Sequence, residues 1–263
     1  MFGNRMFAFS VFFLAACSTV PQQAVSDLAP SGTLRAAINV GNPILAARGV
    51  AGAEPSGVSV DIARELARRL GVPARLIVFD AAGKVVEAGK AGAWDVAFVA
   101  LDPARAAEIA QSPPYVVIEG AYLVRSGSPI TSNDQVDRKG NRVVVGRNSA
   151  YDLYLTRSFK QAEVVRSPTS PAVVDQFLRE NHEVAAGVKQ QLEMDARRVQ
   201  GVRILPGRFM VINQAMASQR GREAGARYVR EFIEEMKASG FVAQALERHK
   251  VQGAAVAPAG DAR

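Results

Sequence analysis

The chain has 263 residues, with 32 Lys and Arg against 25 Asp and Glu, a formal charge of +7, and 48% hydrophobic residues. That composition is ordinary for a globular protein, and the length fits one large domain or two small ones. With a single cysteine, Cys17, and two distant histidines, His182 and His249, the chain can form no internal disulfide and has no metal-ligand spacing; no cofactor is expected. The basic charge does not describe a nucleic-acid surface, because the basic residues are dispersed and aromatics are scarce. It does favour encounter with anionic solutes.

In chain order, Arg5 supplies positive charge, an apolar run from Met6 to Ala16 follows, and small residues sit just before Cys17. This is the order of a secretory signal, and the run is short for a stable bilayer-spanning helix. It resembles a bacterial lipoprotein signal, which implies cleavage after residue 16, lipidation of Cys17 and a membrane-tethered chain outside the cytoplasm. Multiple acyl chains would hold such a protein stably on a membrane. Ser18, a non-acidic residue after the cysteine, favours the outer membrane by resemblance to lipoprotein sorting rules. Residues 17–32 carry few charges and many small polar residues, and read as a flexible tether.

The folded body starts near Leu34. The pattern predicts a strand over 34–40 ended by Gly41-Asn42-Pro43, and a helix led by Gly57 and Asp61. Ile62, Leu66 and Leu70 form that helix's apolar face, with Gly71 as its stop. A strand at 76–79, a short helix at 85–91 and a strand at 94–99 follow. This alternation predicts parallel strands with helices on both faces. A second alternating run has a long apolar strand over 115–124, strands at 142–146 and 162–165, and a helix from Tyr151. A helix at 173–179 and a strand at 184–188 complete it. Val229, Phe232, Ile233 and Met236 make the stripe of a strong helix closed by Gly240. Residues 254–263 are mostly Ala, Pro and Gly, and read as a disordered tail.

Six pieces in order resemble the extracytoplasmic solute-binding proteins of ABC importers, in the polar-amino-acid-type family. They are the strand end at Asn42-Pro43, Gly57-Val58-Ser59-Val60-Asp61-Ile62, Leu70-Gly71-Val72, Gly92-Ala93-Trp94-Asp95-Val96, Asp102-Pro103-Ala104-Arg105 and Ser112-Pro113-Pro114-Tyr115. Val58 departs from the pattern, where the family usually has an aromatic. The resemblance implies an α/β, two-lobed periplasmic-binding-protein fold of type II, with the ligand cleft between lobes joined by two crossing strands. Lobe 1 would comprise 33–117 and 213–253, and lobe 2 118–212. It implies capture of a small polar solute, acidic or amino-acid-like, by lobe closure, and delivery to an ABC permease by a monomer that is not an enzyme.

The resemblance also nominates site residues. Arg105 matches the arginine that grips a ligand carboxylate with a bidentate fork, and the intact helix-start pattern around it favours that role over a solvated helix arginine. Asp102 stands where the family has threonine, and either caps the helix or accepts from an ammonium or hydroxyl. Lys189 falls where amino-acid-binding members carry the aspartate that receives the ligand ammonium. In the cleft it would pair a carboxylate or phosphate instead; shifted by a residue or two, it is merely solvated. Asn148 and Ser149 precede a lobe 2 helix, and Ser149 with Asp152 also makes a capping box. Asn42 is either cleft-facing or a turn residue. Glu119 faces either the cleft or solvent beside the hinge.

Two other readings stand beside the importer. One is a lipoprotein that senses its ligand and reports it to a partner. The other is a dehydratase of the same fold acting on an anionic cyclic acid, for which Glu119 is the one candidate general acid.

Overall fold

In a computed structural model, residues 20–260 are described; the signal segment 1–16 and Cys17 lie outside them. The first element corrects the expectation of a tether over 17–32. Gln22–Leu28 is a helix, α1, with Ala24 and Leu28 four residues apart on one face and fully buried. It docks on a later helix, α8 (Glu223–Ala238). Asp27 Oδ2 accepts the Gly225 amide at 2.9 Å, and Arg222 Nη1 donates to the Asp27 carbonyl at 2.7 Å. A Cβ on Gly225 would stand 2.8 Å from that of Asp27, so the contact needs a residue without a side chain. Two apolar residues at helical spacing outweigh the polar composition around them.

The first lobe follows the predicted alternation. β1 (Leu34–Asn39), α2 (Val58–Leu70), β2 (Ala74–Phe79), α3 (Ala82–Lys90) and β3 (Val96–Ala100) give a sheet in which β1 pairs parallel with both β2 and β3. Every residue of β3 is buried, as expected for a parallel strand covered on both faces. α2 buries Ile62, Leu66 and Leu70 on the stripe legible in the sequence.

After the one-turn helix α4 (Pro103–Ala106) comes β4 (Ile109–Arg125), 17 residues long. Its first part pairs antiparallel with β9 (Met210–Gln219), and its second part pairs with β7 (Val184–Val188). β7 belongs to the second lobe, with β5 (Arg142–Gly146), α5 (Ala150–Ser158), β6 (Glu163–Ser167) and α6 (Val173–Arg179). There β5 pairs parallel with β6 and β7. The strand order β2-β1-β3-β9-β4-β7-β5-β6 therefore has parallel wings about an antiparallel centre. β4 and β9 face each other where the chain passes between lobes, at Val117 with Asn213 and Ile118 with Ile212.

The Ser112-Pro113-Pro114-Tyr115 stretch has a structural account. Neither proline offers an amide hydrogen, and the β4–β9 register shifts here. The Ser112 hydroxyl takes over, accepting the Met216 amide at 3.1 Å while donating to the Pro113 carbonyl at 2.6 Å. Tyr115 is buried with its hydroxyl 3.0 Å from that of Ser59.

Three elements had no expectation: α7 (Lys189–Arg198), β8 (Val202–Ile204), and α9 (Phe241–Arg248) directly after α8. Gly240 ends α8 as foreseen, but its left-handed backbone also starts α9. The tail needs correction as well. Ala255–Val256 forms β10, antiparallel to Val116 and Val117 of β4, and the Ala257 amide bonds the Tyr115 carbonyl at 3.1 Å. Lys237 donates to the Pro258 carbonyl at 2.7 Å and the Gly260 amide to Glu234 at 3.1 Å. A free β4 edge pairs with backbone groups whatever the side chains, so Ala-Pro-Gly composition does not prevent order here. Among the described residues no helix is long and apolar enough to cross a membrane.

Candidate functional site

The site lies where the end of β3 meets the start of α5 across the two lobes. β3 stops at Ala100, and Asp102 caps α4, accepting the Ala104 amide at 2.9 Å, with Pro103 at the first helical position. This short helix turns Arg105 inward until only 3% of it is exposed. Its guanidinium donates to two backbone carbonyls, Ala100 at 2.9 Å in its own lobe and Asn148 at 2.8 Å in the other. Among the described residues no carboxylate lies within salt-bridge distance of it. Burial pulls its pKa down to about 10, against the opposing pull of the Asp102 charge, so it stays protonated at neutral pH.

On the lobe 2 side, Ser149 caps α5, accepting the Asp152 amide at 3.0 Å. Asp152 reaches back to the Asn148 amide at 2.7 Å and takes Arg166 at 3.1 Å. Asn148 has a left-handed backbone, with φ of 56°, a conformation asparagine tolerates. The loop is thus fixed with its carbonyl towards Arg105. Gly83, in the first turn of α3, lies against it: a Cβ there would come within 2.5 Å of the Asn148 Cβ. The lobes are therefore in close contact.

Between them is a cavity of about 40 Å³, whose lining includes Arg105, Asn42, Ser149, Tyr151, Ser170 and Gln214. The lining carries one cation and no acidic side chain. Asn42 Oδ1 is buried with no hydrogen-bond partner among the described residues. A smaller chamber of about 10 Å³ shares Asn42, Tyr151 and Val188 with it. Tyr151 is buried, and burial pushes its phenol pKa up. Chemically the lining offers one buried cation among neutral hydrogen-bonding groups. Among the described residues no three of His, Cys, Asp and Glu converge as a metal site.

Of the residues the sequence nominated, Arg105, Asn42 and Ser149 line this cavity; Asn148 does not, and its carbonyl accepts from Arg105 instead. Asp102 does not line it. Both of its oxygens are engaged, since Arg157 of α5 donates to them at 3.2 and 2.7 Å across the lobes. The notion that Asp102 accepts from a ligand gives way to a cap and an ion pair.

Lys189 and Glu119 are also elsewhere. Lys189 Nζ is 3.3 Å from Glu119 Oε2, and Arg208 is 2.6 Å from Oε1. The Arg208 hydrogen bond chiefly, with Lys189, holds the Glu119 pKa below the ordinary carboxylate value despite partial burial. None of the three lines the cavity around Arg105. The reason is one of register: β7 ends at Val188, whose side chain lines the cavity, and Lys189 begins α7. Sequence reasoning missed Gln214, Tyr151, Ser170 and Arg157. Gln214 had a signal, as a polar residue in the apolar returning strand; Arg157 had none.

The sequence profile of the bacterial extracellular solute-binding proteins, family 3, matches residues 34–252. No curated protein matches the chain in sequence. Among solved structures, a solute receptor for L-cysteine of Neisseria gonorrhoeae superposes with a TM-score of 0.75 at 21% identity, over 87% of this chain and 94% of that one. A putative ABC-transporter binding component from Wolinella succinogenes, complexed with lysine, gives 0.72 at 20% identity, over 83% and 95%. A histidine kinase sensor domain similar to periplasmic binding proteins gives 0.74 at 18% identity, over 86% and 98%. The fold is that of type II periplasmic binding proteins, and the chain belongs to the bacterial extracellular solute-binding proteins, family 3.

Proposed function

We propose that this protein is the solute-binding component of an ABC importer and captures a compact solute bearing a carboxylate. The observation that carries the reading is Arg105, a buried cation with two donors on carbonyls, no carboxylate partner among the described residues, and a place in the cavity wall. A buried charge without a counterion is costly. A solute carboxylate supplies the missing charge through the guanidinium's remaining donors.

Asn42 Oδ1, an unpaired acceptor in the same wall, suits a donor on the solute, an ammonium or a hydroxyl. With no acidic side chain in the lining, an ammonium would rest on neutral acceptors alone, which favours carboxylates over zwitterions. The relatives that bind L-cysteine and lysine support an amino-acid-like scale for the solute. Lipidation at Cys17 would tether this receptor to a membrane, the outer one by the Ser18 rule, and deliver the solute to a permease.

The likeness to a kinase sensor domain supports one other reading, in which solute-driven closure is reported to a partner rather than to a permease. Unchanged solute uptake in a deletion strain would favour it. The dehydratase reading loses its candidate acid, because Glu119 is held by Arg208 and Lys189 and does not line the cavity.

The test is calorimetric titration and thermal shift with a panel of amino acids and mono- and dicarboxylates, on wild type and Arg105→Ala. Loss of the charged clamp should cost roughly 2–5 kcal/mol of binding with the circular dichroism unchanged. Arg105→Lys should recover little of it, lacking the planar fork. Undiminished affinity in Arg105→Ala would remove the clamp from this account.

A further inference from the structure

The Asp102–Arg157 pair spans the lobes, yet neither residue lines the cavity. Asp102 sits at the lobe 1 cap of α4 with 4% of its side chain exposed, and Arg157 in lobe 2 is about half exposed. The contact is bidentate, at 3.2 and 2.7 Å. Its partners belong to different lobes, so it exists only when they are together. The helix-capping bond from the Ala104 amide, by contrast, stays within lobe 1 and survives opening.

We infer that Asp102 and Arg157 form a latch that sets the population of the closed state, and through it the solute affinity. The inference deepens the proposed binding function and rests on it for its consequence, though the latch itself is a property of the protein alone. Two effects follow from the geometry. First, the pair adds attraction between lobes without touching solute, and a receptor whose closed form is more populated shows a tighter apparent dissociation constant. Second, Arg157 neutralises the aspartate nearest the clamp, so that a solute carboxylate meets Arg105 without repulsion from Asp102.

The experiment is small-angle scattering of the full chain, with no solute added after denaturation, dialysis and refolding, at low and high sodium chloride. The proteins are wild type, Arg157→Ala, Arg157→Glu and Arg157→Lys. Wild type should be the most compact at low salt and expand as salt screens the half-exposed pair. Arg157→Ala should lose about two- to fivefold in closed-to-open ratio and most of the salt response, the range expected for a bidentate pair at the upper end of exposed ion pairs. Arg157→Glu should be the most open, and Arg157→Lys should lie between wild type and Arg157→Ala. Equal radii and equal salt response in wild type and Arg157→Ala would overturn the latch. Since scattering uses no solute, that failure is separate from failure of the Arg105 clamp, which the titrations read.

Discussion

The two ends of β3 each carry a buried aspartate held by arginine, and the two do different jobs. Asp95, just before the strand, is fully buried and takes the Arg35 amide and guanidinium at 2.8–3.0 Å, with Arg222 at 3.0 Å. All of these partners are in lobe 1, and Arg222 also reaches the α1 carbonyl at Asp27. Asp102, just after the strand, is paired by Arg157 of the other lobe. An ion pair closed within a lobe holds the fold; one closed between lobes biases which arrangement of a finished fold is populated. The residue types are the same, but Asp95 draws two arginines from its own lobe and Asp102 one from the other.

Removing the Asp95 charge should move the stability of the fold. Asp95→Ala leaves two arginines with their buried acceptor gone and should cost on the order of 3–5 kcal/mol of unfolding free energy, read by denaturant titration. Its pH behaviour has a definite sign. Burial pushes the Asp95 pKa up, but the bonds and charge of Arg35 and Arg222 outweigh this and hold it below the ordinary value. A carboxylate depressed in the folded state contributes stability that is present above its unfolded pKa, about 3.9, and lost as pH falls through the folded value. Asp95→Asn should therefore flatten the acid limb of the stability curve below about pH 4. An unchanged limb would assign that stability to other carboxylates.

The next effect concerns closure with no change of charge. Gly83 allows α3 to touch Asn148, and Gly83→Ala places a methyl within 2.5 Å of the Asn148 Cβ. Its backbone is in no glycine-only region, so the fold should survive with its melting temperature within a few degrees of wild type. Scattering should nonetheless show a more open molecule. A variant as compact as wild type would mean the lobes meet less tightly than the geometry says.

The smallest effect belongs to Lys189. Paired with Glu119 and partly exposed, it should contribute within about 0.5 kcal/mol of stability, and Lys189→Ala should leave the order of preference among carboxylates unchanged. A reordered panel would bring Lys189 back to the solute.

How much of this was legible varies by element for physical reasons. α8 was readable because Val229, Phe232, Ile233 and Met236 repeat at helical spacing, and β7 because an apolar run of that length suits a covered parallel strand. α1 and β10 were misread because composition reports average polarity. What orders them is two apolar residues against α8 in one case and a free strand edge in the other. At the site, Arg105 was legible through its helix-start context. The displacement of Lys189 was not, since a one-residue shift at the end of β7 decides whether Val188 or Lys189 faces the cavity.

The alternation of strands and helices, the caps at Asp102 and Ser149, and an arginine at a helix start are all legible from local spacing, because they depend on neighbours within a few residues. The packing of the lobes, by contrast, is what brings Asp102 to Arg157, turns the Asn148 carbonyl to Arg105 and lets Gly83 touch the other lobe. Those contacts join residues 43 to 65 positions apart across the two lobes at either end of one sheet, and local spacing carries no record of how the lobes face each other.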